Sequence, residues 1–217
     1  MLRTLTLILA AAALASCGMV SSDRPLFGPL DARGAPVLKP GLWALVQPGC
    51  KLNLRASPKR WPDCAQAADL HADGTAILIR HETRADIEHE TTWLVAAGDP
   101  AVLQVQGPRE EGKPRAPYVY FGVRPLASDV DGVIIRARVW PAFCARPRSA
   151  GPPPVRSKAK PAKALAGLTP GKGPNANCLA RGQRPVRNAV IQSEAWAFTN
   201  DRDEPGVIAY WVRDPEK

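Results

Sequence analysis

The distribution of apolar residues predicts a series of short β-strands across the middle of the chain. The clearest pattern covers residues 133–140, where every second residue from Val133 to Val139 is apolar and alternates with Arg136 and Arg138. Successive side chains of a strand point to opposite faces of the sheet. We therefore expect this strand to bury one face and to expose the other to solvent.

Further runs share an apolar, strand-prone composition and are separated by turn signals such as Asp73-Gly74. They are residues 41–46, 75–80, 91–96, 101–106 and 118–123. Short strands that follow one another with turns between them are typical of antiparallel sheets. The sequence thus predicts a mainly β fold, an antiparallel meander that is curled or barrel-like.

The residues after Cys178 leave two interpretations open. Several of them share one face of a helix that begins near Pro185, a residue well suited to a first helical turn. The same residues could also form a strand. We expect one C-terminal helix here, followed by a last strand over residues 207–212. The helical face consists of Val186, Ala189, Val190, Ser193 and Ala197.

Two segments interrupt the strand pattern. Residues 17–40 contain four prolines and three glycines without periodicity, and they predict a flexible tether. Residues 145–177 contain seven prolines and seven basic residues, but no aromatic and no acidic residue. A segment of this composition buries too little apolar surface to offset its ordering entropy. We expect a disordered basic, proline-rich loop inserted into a single β-rich domain of residues 41–217.

The first residues predict an export signal. Met1 to Arg3 form a short basic start, and twelve uncharged residues follow, a stretch too short to anchor the chain in a membrane. Residues 14–17, Leu-Ala-Ser-Cys, resemble the lipobox of bacterial lipoproteins. The resemblance implies that residues 1–16 are removed and that Cys17 carries lipid. Gly18, rather than Asp, resembles the default for transfer to the periplasmic face of the outer membrane. An ordinary export signal with a chance cysteine is the alternative.

Four cysteines remain once Cys17 is assigned to lipid, namely Cys50, Cys64, Cys144 and Cys178. An even number in an oxidising compartment favours disulfides. Three connectivities are possible, and we expect the sequential one, Cys50–Cys64 and Cys144–Cys178. A metal site built from cysteine is the alternative.

The positive charge is concentrated in one part of the chain. The protein has 29 Lys and Arg against 20 Asp and Glu, and residues 145–187 hold ten basic residues with no acidic one. In a cell envelope the available polyanions are anionic lipid, lipopolysaccharide and cell-wall polymers, whereas nucleic acid is not expected. A merely solvated insertion is the alternative. The candidate contact residues are Arg146, Arg148, Arg156, Lys158, Lys160 and Lys163.

The sequence offers little catalytic chemistry. His71, His81 and His89 lie among carboxylates and are weak candidates for a Zn²⁺ or Cu²⁺ site, but their spacing matches no metalloprotease motif. A charged hairpin tip is the favoured interpretation. No nucleophile elbow, phosphate loop or dinucleotide motif is found. We expect neither an enzyme nor a cofactor.

Two functions remain. The first is a lipid-anchored envelope protein without enzymatic activity that acts through contacts with partners. The second is a lipocalin-like carrier of a small apolar ligand. An open barrel interior lined by Trp43, Trp93, Trp140 or Tyr120 would favour the carrier, and a filled interior would favour the first function.

Overall fold

The computed structural model describes residues 18–82, 85–107, 117–146, 164–171, 176–198 and 206–214, and of residues 79–82 and 85–89 it describes the backbone only. Within these ranges there are eleven strands and one α-helix, α1, which spans Gln183–Ala197. The strands are β1 Val20–Ser22, β2 Gly41–Val46, β3 Ala65–Leu70, β4 Thr75–Glu82, β5 Ala85–Ala96, β6 Ala101–Gln106, β7 Tyr118–Ser128, β8 Ile134–Pro141, β9 Leu168–Thr169, β10 Cys178–Ala180 and β11 Val207–Arg213.

Eight of these strands close into an antiparallel barrel. Strands β2 to β8 pair in sequence order, and β11 lies between β8 and β2. The predicted mainly β, barrel-like fold is confirmed. The bounds predicted for β2 and β6 match those of the structure.

Three short strands extend the barrel on one side. Strand β1 pairs antiparallel with the start of β7, where Ser22 lies opposite Tyr118. It also pairs in parallel with β10, where Val20 lies opposite Cys178, and β10 pairs with β9. This layer continues the sheet beyond the end of β8.

The helical interpretation of the C-terminal segment is confirmed. The buried residues of α1 are the five residues of the predicted face. The helix is fixed to the outside of the barrel by hydrogen bonds. Trp140 Nε1 donates to the Val190 carbonyl over 2.9 Å, and Arg124 donates to both carboxylate oxygens of Glu194 over 2.6 and 2.9 Å. The hydrogen bonds to Glu194 raise the pKa of Arg124 above its ordinary value.

The position of α1 corrects the expected exposure of β8. Ala137 is buried and Arg136 and Arg138 are exposed, as predicted. Ile134 and Trp140 lie on the face predicted to be wet, but both are buried. For Trp140 the reason is that α1 covers the outside of this strand. Ile134, at the start of β8, pairs with Leu38 and packs in the same cluster as Trp43.

The tether predicted for residues 17–40 is wrong over its described part, residues 18–40. Val20 is fully buried, Phe27 is 2% exposed and Leu38 is 8% exposed. The Gln104 side chain accepts hydrogen bonds from the backbone N–H groups of Leu26 and Phe27. The scattered apolar residues bury enough surface to offset the ordering of the segment, so its prolines and glycines reflect irregular backbone.

The predicted disordered loop also needs correction where the structure describes it. Leu168 and Thr169 form β9, and Leu168 is 8% exposed. The Leu165 N–H donates to the Cys144 carbonyl over 2.8 Å. Apolar residues near the end of the insertion therefore join the folded domain. Residues 147–163 and 172–175 lie outside the described residues.

Both disulfides have the predicted pairing. Cys50 is bonded to Cys64, and Cys144 is bonded to Cys178. The first disulfide closes the segment between β2 and β3. This segment, which includes Trp61, packs on the outer face of the two strands. The second links the chain after β8 to β10. No helix in the described ranges is long and apolar enough to cross a bilayer.

The buried residues form three clusters. The interior cluster lies inside the barrel, the helix-side cluster lies between the barrel and α1 with β1 and β10, and the loop-side cluster lies under residues 47–64. Members of the interior cluster are Trp43, Val95, Val123, Ala137 and Ala209. Members of the helix-side cluster are Val102, Tyr120, Trp140, Val186 and Val190. Members of the loop-side cluster are Leu42, Ala44, Trp61, Ala65 and Ala67.

Candidate functional site

The barrel has two different rims because its strands are antiparallel. At the long-loop rim, β2, β6 and β8 end and continue into residues 47–64, 107–117 and 142–206. At the short-loop rim, the connections are residues 71–74, 97–100 and 129–133. Long loops above a barrel are a common place for a binding site.

The short-loop rim is packed by tryptophans and by the chain before β2. Trp43 is 2% exposed, and its Nε1 donates to the Lys39 carbonyl over 2.7 Å. Trp211 Nε1 donates to the Pro40 carbonyl over 2.9 Å. Trp93 faces the same interior. Each of the three indole N–H groups is bonded to backbone, and Trp43 is fully packed, whereas Trp93 and Trp211 are half-buried.

The half of the interior toward the long-loop rim is packed less completely. Leu103 lies opposite Phe121, and Val105 lies opposite Val119, on the face that Val123 shares. These four side chains face inward but are only half-buried. The inward-facing residues Leu45 and Leu78, on the other side of the barrel, are also half-buried. Solvent therefore reaches apolar surface inside this half of the barrel.

The chemistry of this site is apolar. Gln66, opposite Leu45, is exposed, whereas Thr91 is buried and donates to the Ala76 carbonyl. Among the inward-facing side chains that the structure describes, these two are polar and none is ionisable. Such a surface suits an apolar group, with the exposed Gln66 as a hydrogen-bond partner near the long-loop rim.

The aromatic residues considered from the sequence divide between two places. Trp43 and Trp93 face the interior, as a ligand-binding barrel requires. Tyr120 and Trp140 do not, because both lie in the helix-side cluster. The Tyr120 hydroxyl is hydrogen-bonded to the Ser22 hydroxyl, and burial raises the pKa of Tyr120. Phe121 was not named as an interior residue from the sequence. The alternation within residues 118–123 places its side chain on the face of the strand opposite to that of Tyr120.

The histidines do not form a metal centre in the described part of the chain. His71 lies at the turn after β3, where its Nδ1 is 2.9 Å from Thr75 Oγ1 and its Nε2 is 3.7 Å from Asp69 Oδ2. No group of three potential metal ligands occurs among the described residues. His81 and His89 lie in β4 and β5, which form the predicted hairpin, but their side chains are outside the description.

The remaining predicted site residues are only partly covered. Arg146 is exposed and lies two residues after Cys144. Cys17, Arg148, Arg156, Lys158, Lys160 and Lys163 lie outside the described residues.

No protein-family model, no curated protein and no solved structure matches the chain. A function must therefore be argued from the geometry and chemistry given above.

Proposed function

We propose that the protein is a lipid-anchored lipoprotein of the cell envelope whose barrel carries a small apolar ligand. One observation supports the carrier function above the others. Six inward-facing apolar side chains in the half toward the long-loop rim are half-buried, namely Leu45, Leu78, Leu103, Val105, Val119 and Phe121. An apolar barrel interior that solvent can reach is a feature of barrels that carry an apolar ligand.

The test is a titration with a fluorescent fatty acid, cis-parinaric acid, followed by probe emission and by tryptophan quenching. The sample is the chain from residue 18 onward, exported behind an unrelated signal and checked for both disulfides. We expect saturable binding with an equimolar endpoint. Folded protein that takes up no probe would contradict the carrier function.

A pair of matched variants locates the site. Leu103→Trp fills the accessible half of the interior, so we expect it to weaken probe binding at least tenfold. Leu126→Trp makes the same change at a side chain that is 39% exposed on β7, and it should leave binding unchanged. Equal effects from the two variants would show that the probe does not bind inside the barrel.

A second candidate is a non-enzymatic interaction protein. Val37 and Val130 are 62% and 101% exposed, and both belong to segments at the short-loop rim. Val130 lies in the turn between β7 and β8, and the Val37 carbonyl accepts a hydrogen bond from the Ile134 N–H. Exposed apolar side chains in one region of a surface favour contact with another protein. Crosslinking in the native envelope with a photoreactive residue at position 130 tests this function. Capture of one defined partner, lost in Val130→Asp, would support it.

The envelope location rests on the lipobox-like residues 14–17. Mass spectrometry of protein from its own cell should show an acylated N-terminal Cys17 that carries diacylglycerol. Separation of the two membranes by density should place it with the outer membrane. Retention of Met1 would contradict the export signal.

We also propose that the basic segment that begins at Arg146 binds anionic envelope polymers. Each Lys or Arg near an anionic surface contributes about 1 kcal/mol, and salt screens the contribution. Removal of residues 147–163 from the unlipidated chain should weaken its binding to phosphatidylglycerol vesicles. Unchanged binding would leave the segment as a solvated insertion.

A further inference from the structure

The chain is held in the fold from its first described residue. The Gly18 carbonyl accepts a hydrogen bond from the Cys144 N–H over 2.9 Å, and the Met19 N–H donates to Asn177 Oδ1 over 3.0 Å. The Met19 carbonyl accepts from the Cys178 N–H over 3.0 Å. Residues 18 and 19 are thus fixed between the two halves of the Cys144–Cys178 disulfide.

Gly18 also packs too closely to move freely. A Cβ atom at this position would lie 2.3 Å from the Ala176 carbonyl oxygen and 3.3 Å from Cys144 Sγ. The first of these distances is far below a normal contact, and the atom it meets is backbone. Only glycine fits here, so residue 18 is part of the packed surface.

This arrangement leaves almost no distance between the proposed anchor and the domain. Consecutive Cα atoms across a trans peptide are about 3.8 Å apart. Lipid attached to residue 17 would therefore begin beside the surface formed by residues 18–19, 144–146, 168–171 and 176–182, which we name the anchor flank.

The charge of the anchor flank suits an anionic membrane. Arg146 and Arg181 are exposed on it. None of the residues in the ranges that define it is acidic. Anionic head groups attract such a surface within about a Debye length, roughly 8–10 Å.

We propose that the anchor flank lies directly against the anionic leaflet that holds the lipid of residue 17, so that the barrel has one fixed orientation on the membrane. The proposal rests on the lipidation of Cys17 proposed above. It deepens that function by naming the surface that contacts the bilayer.

The test compares two lipidated proteins in vesicles of phosphatidylethanolamine and phosphatidylglycerol by hydrogen–deuterium exchange. One is the native chain, and the other carries a flexible Gly-Ser linker between Cys17 and Gly18. The linker begins with Gly, so the residue after Cys17 is unchanged. We expect at least fivefold slower exchange in the native chain for peptides that cover residues 144–146, 168–171 and 176–182. Residues 129–133, at the short-loop rim, should exchange equally in both proteins.

Mass spectrometry of the same samples separates the two proposals. Lipidated protein without the difference in exchange, or with protection at residues 129–133 instead, would overturn the orientation alone. A chain without lipid at residue 17 would overturn both the anchor and the orientation.

Charge variants give an independent measurement. Arg146→Glu combined with Arg181→Glu should reduce the protection of the anchor flank in anionic vesicles. Arg33→Glu, at an exposed residue in the turn after Phe27, should not. An equal loss of protection in Arg33→Glu would overturn the assignment of this surface.

Discussion

The two faces of β6, β7 and β8 carry similarly apolar side chains but are packed to different extents. On the outer face, Val102, Tyr120 and Trp140 are fully buried beneath α1. On the inner face, Leu103 and Phe121 are half-buried. The outer residues have a helix and an extra strand layer against them, whereas the inner residues near the long-loop rim border accessible space. The comparison indicates that the outer face of these strands is the more completely packed one, whereas part of the inner face remains accessible to solvent.

The largest expected effect is at Trp140. Trp140→Ala removes a fully buried side chain and its hydrogen bond to Val190, and it should lower the free energy of unfolding by about 4–5 kcal/mol. Phe121→Ala, on the inner face, should cost only about 1–2 kcal/mol because the side chain is half-buried. Urea denaturation of both variants gives the difference, and equal losses would break the comparison.

The two disulfides should also differ in how much stability their removal costs. Cys144→Ser with Cys178→Ser removes a link with a sequence separation of 34 residues, and Cys50→Ser with Cys64→Ser removes one of 14 residues. In the chain-entropy model the losses are about 4 and about 3 kcal/mol. Cys178 also belongs to the helix-side cluster. We therefore expect the loss for the Cys144–Cys178 pair to exceed the loss for the Cys50–Cys64 pair by more than the chain-entropy model gives. Thermal unfolding of the two double variants, measured side by side, tests which loss is larger. A larger loss in the Cys50–Cys64 variant would contradict the prediction.

A smaller effect is expected where β7 passes beneath Trp140. A Cβ atom on Gly122 would lie 2.2 Å from Trp140 Cε2, so Gly122→Ala forces the indole to shift and should cost about 1–3 kcal/mol. Gly28→Ala is the control, because a Cβ there meets nothing within 4 Å. We expect that control within about 0.5 kcal/mol of the native protein in the same denaturation assay. A neutral Gly122→Ala would show that the helix-side cluster is loosely packed.

The smallest effect concerns pH. Burial raises the pKa of Tyr120 above its value in the unfolded chain, which is about 10. Below that pH both states hold the proton, and above it the unfolded state loses its proton first, so stability falls as pH rises. Tyr120→Phe should lose about 1 kcal/mol at neutral pH with the hydrogen bond to Ser22, and it should remove this part of the alkaline loss. Urea midpoints of the two proteins across the alkaline range give the result; parallel curves would contradict it.

Local pattern predicted several elements correctly. The face of α1 follows from apolar spacing and from Pro185, and the disulfide pairing follows from even cysteine number and oxidising surroundings. The burial of Trp140 could not be predicted, since an alternating strand does not show that a helix distant in sequence covers its outer face. Residues 18–40 were misjudged for a related reason. Their three buried apolar side chains have partners that lie far away along the chain.

At Gly18 a sequence-based expectation and a packing requirement fall on the same residue. In the sequence, Gly18 is notable only because it follows Cys17, where it resembles part of a sorting signal. In the structure, contact with the Ala176 carbonyl requires glycine at the same position. A substitution made to redirect the protein, such as Gly18→Asp, would therefore also disturb packing beside the Cys144–Cys178 disulfide.

The position of β11 has a consequence for the order in which the barrel is assembled. This strand enters between β2 and β8, so the first and the seventh strands of the cylinder remain unpaired on one side until residues 207–213 are available. Translation supplies those residues after the other seven strands of the barrel. A partly synthesised chain therefore exposes two open sheet edges, which are ready to pair with any extended segment they meet. Chaperones that keep the nascent chain unfolded would protect it until the cylinder can close.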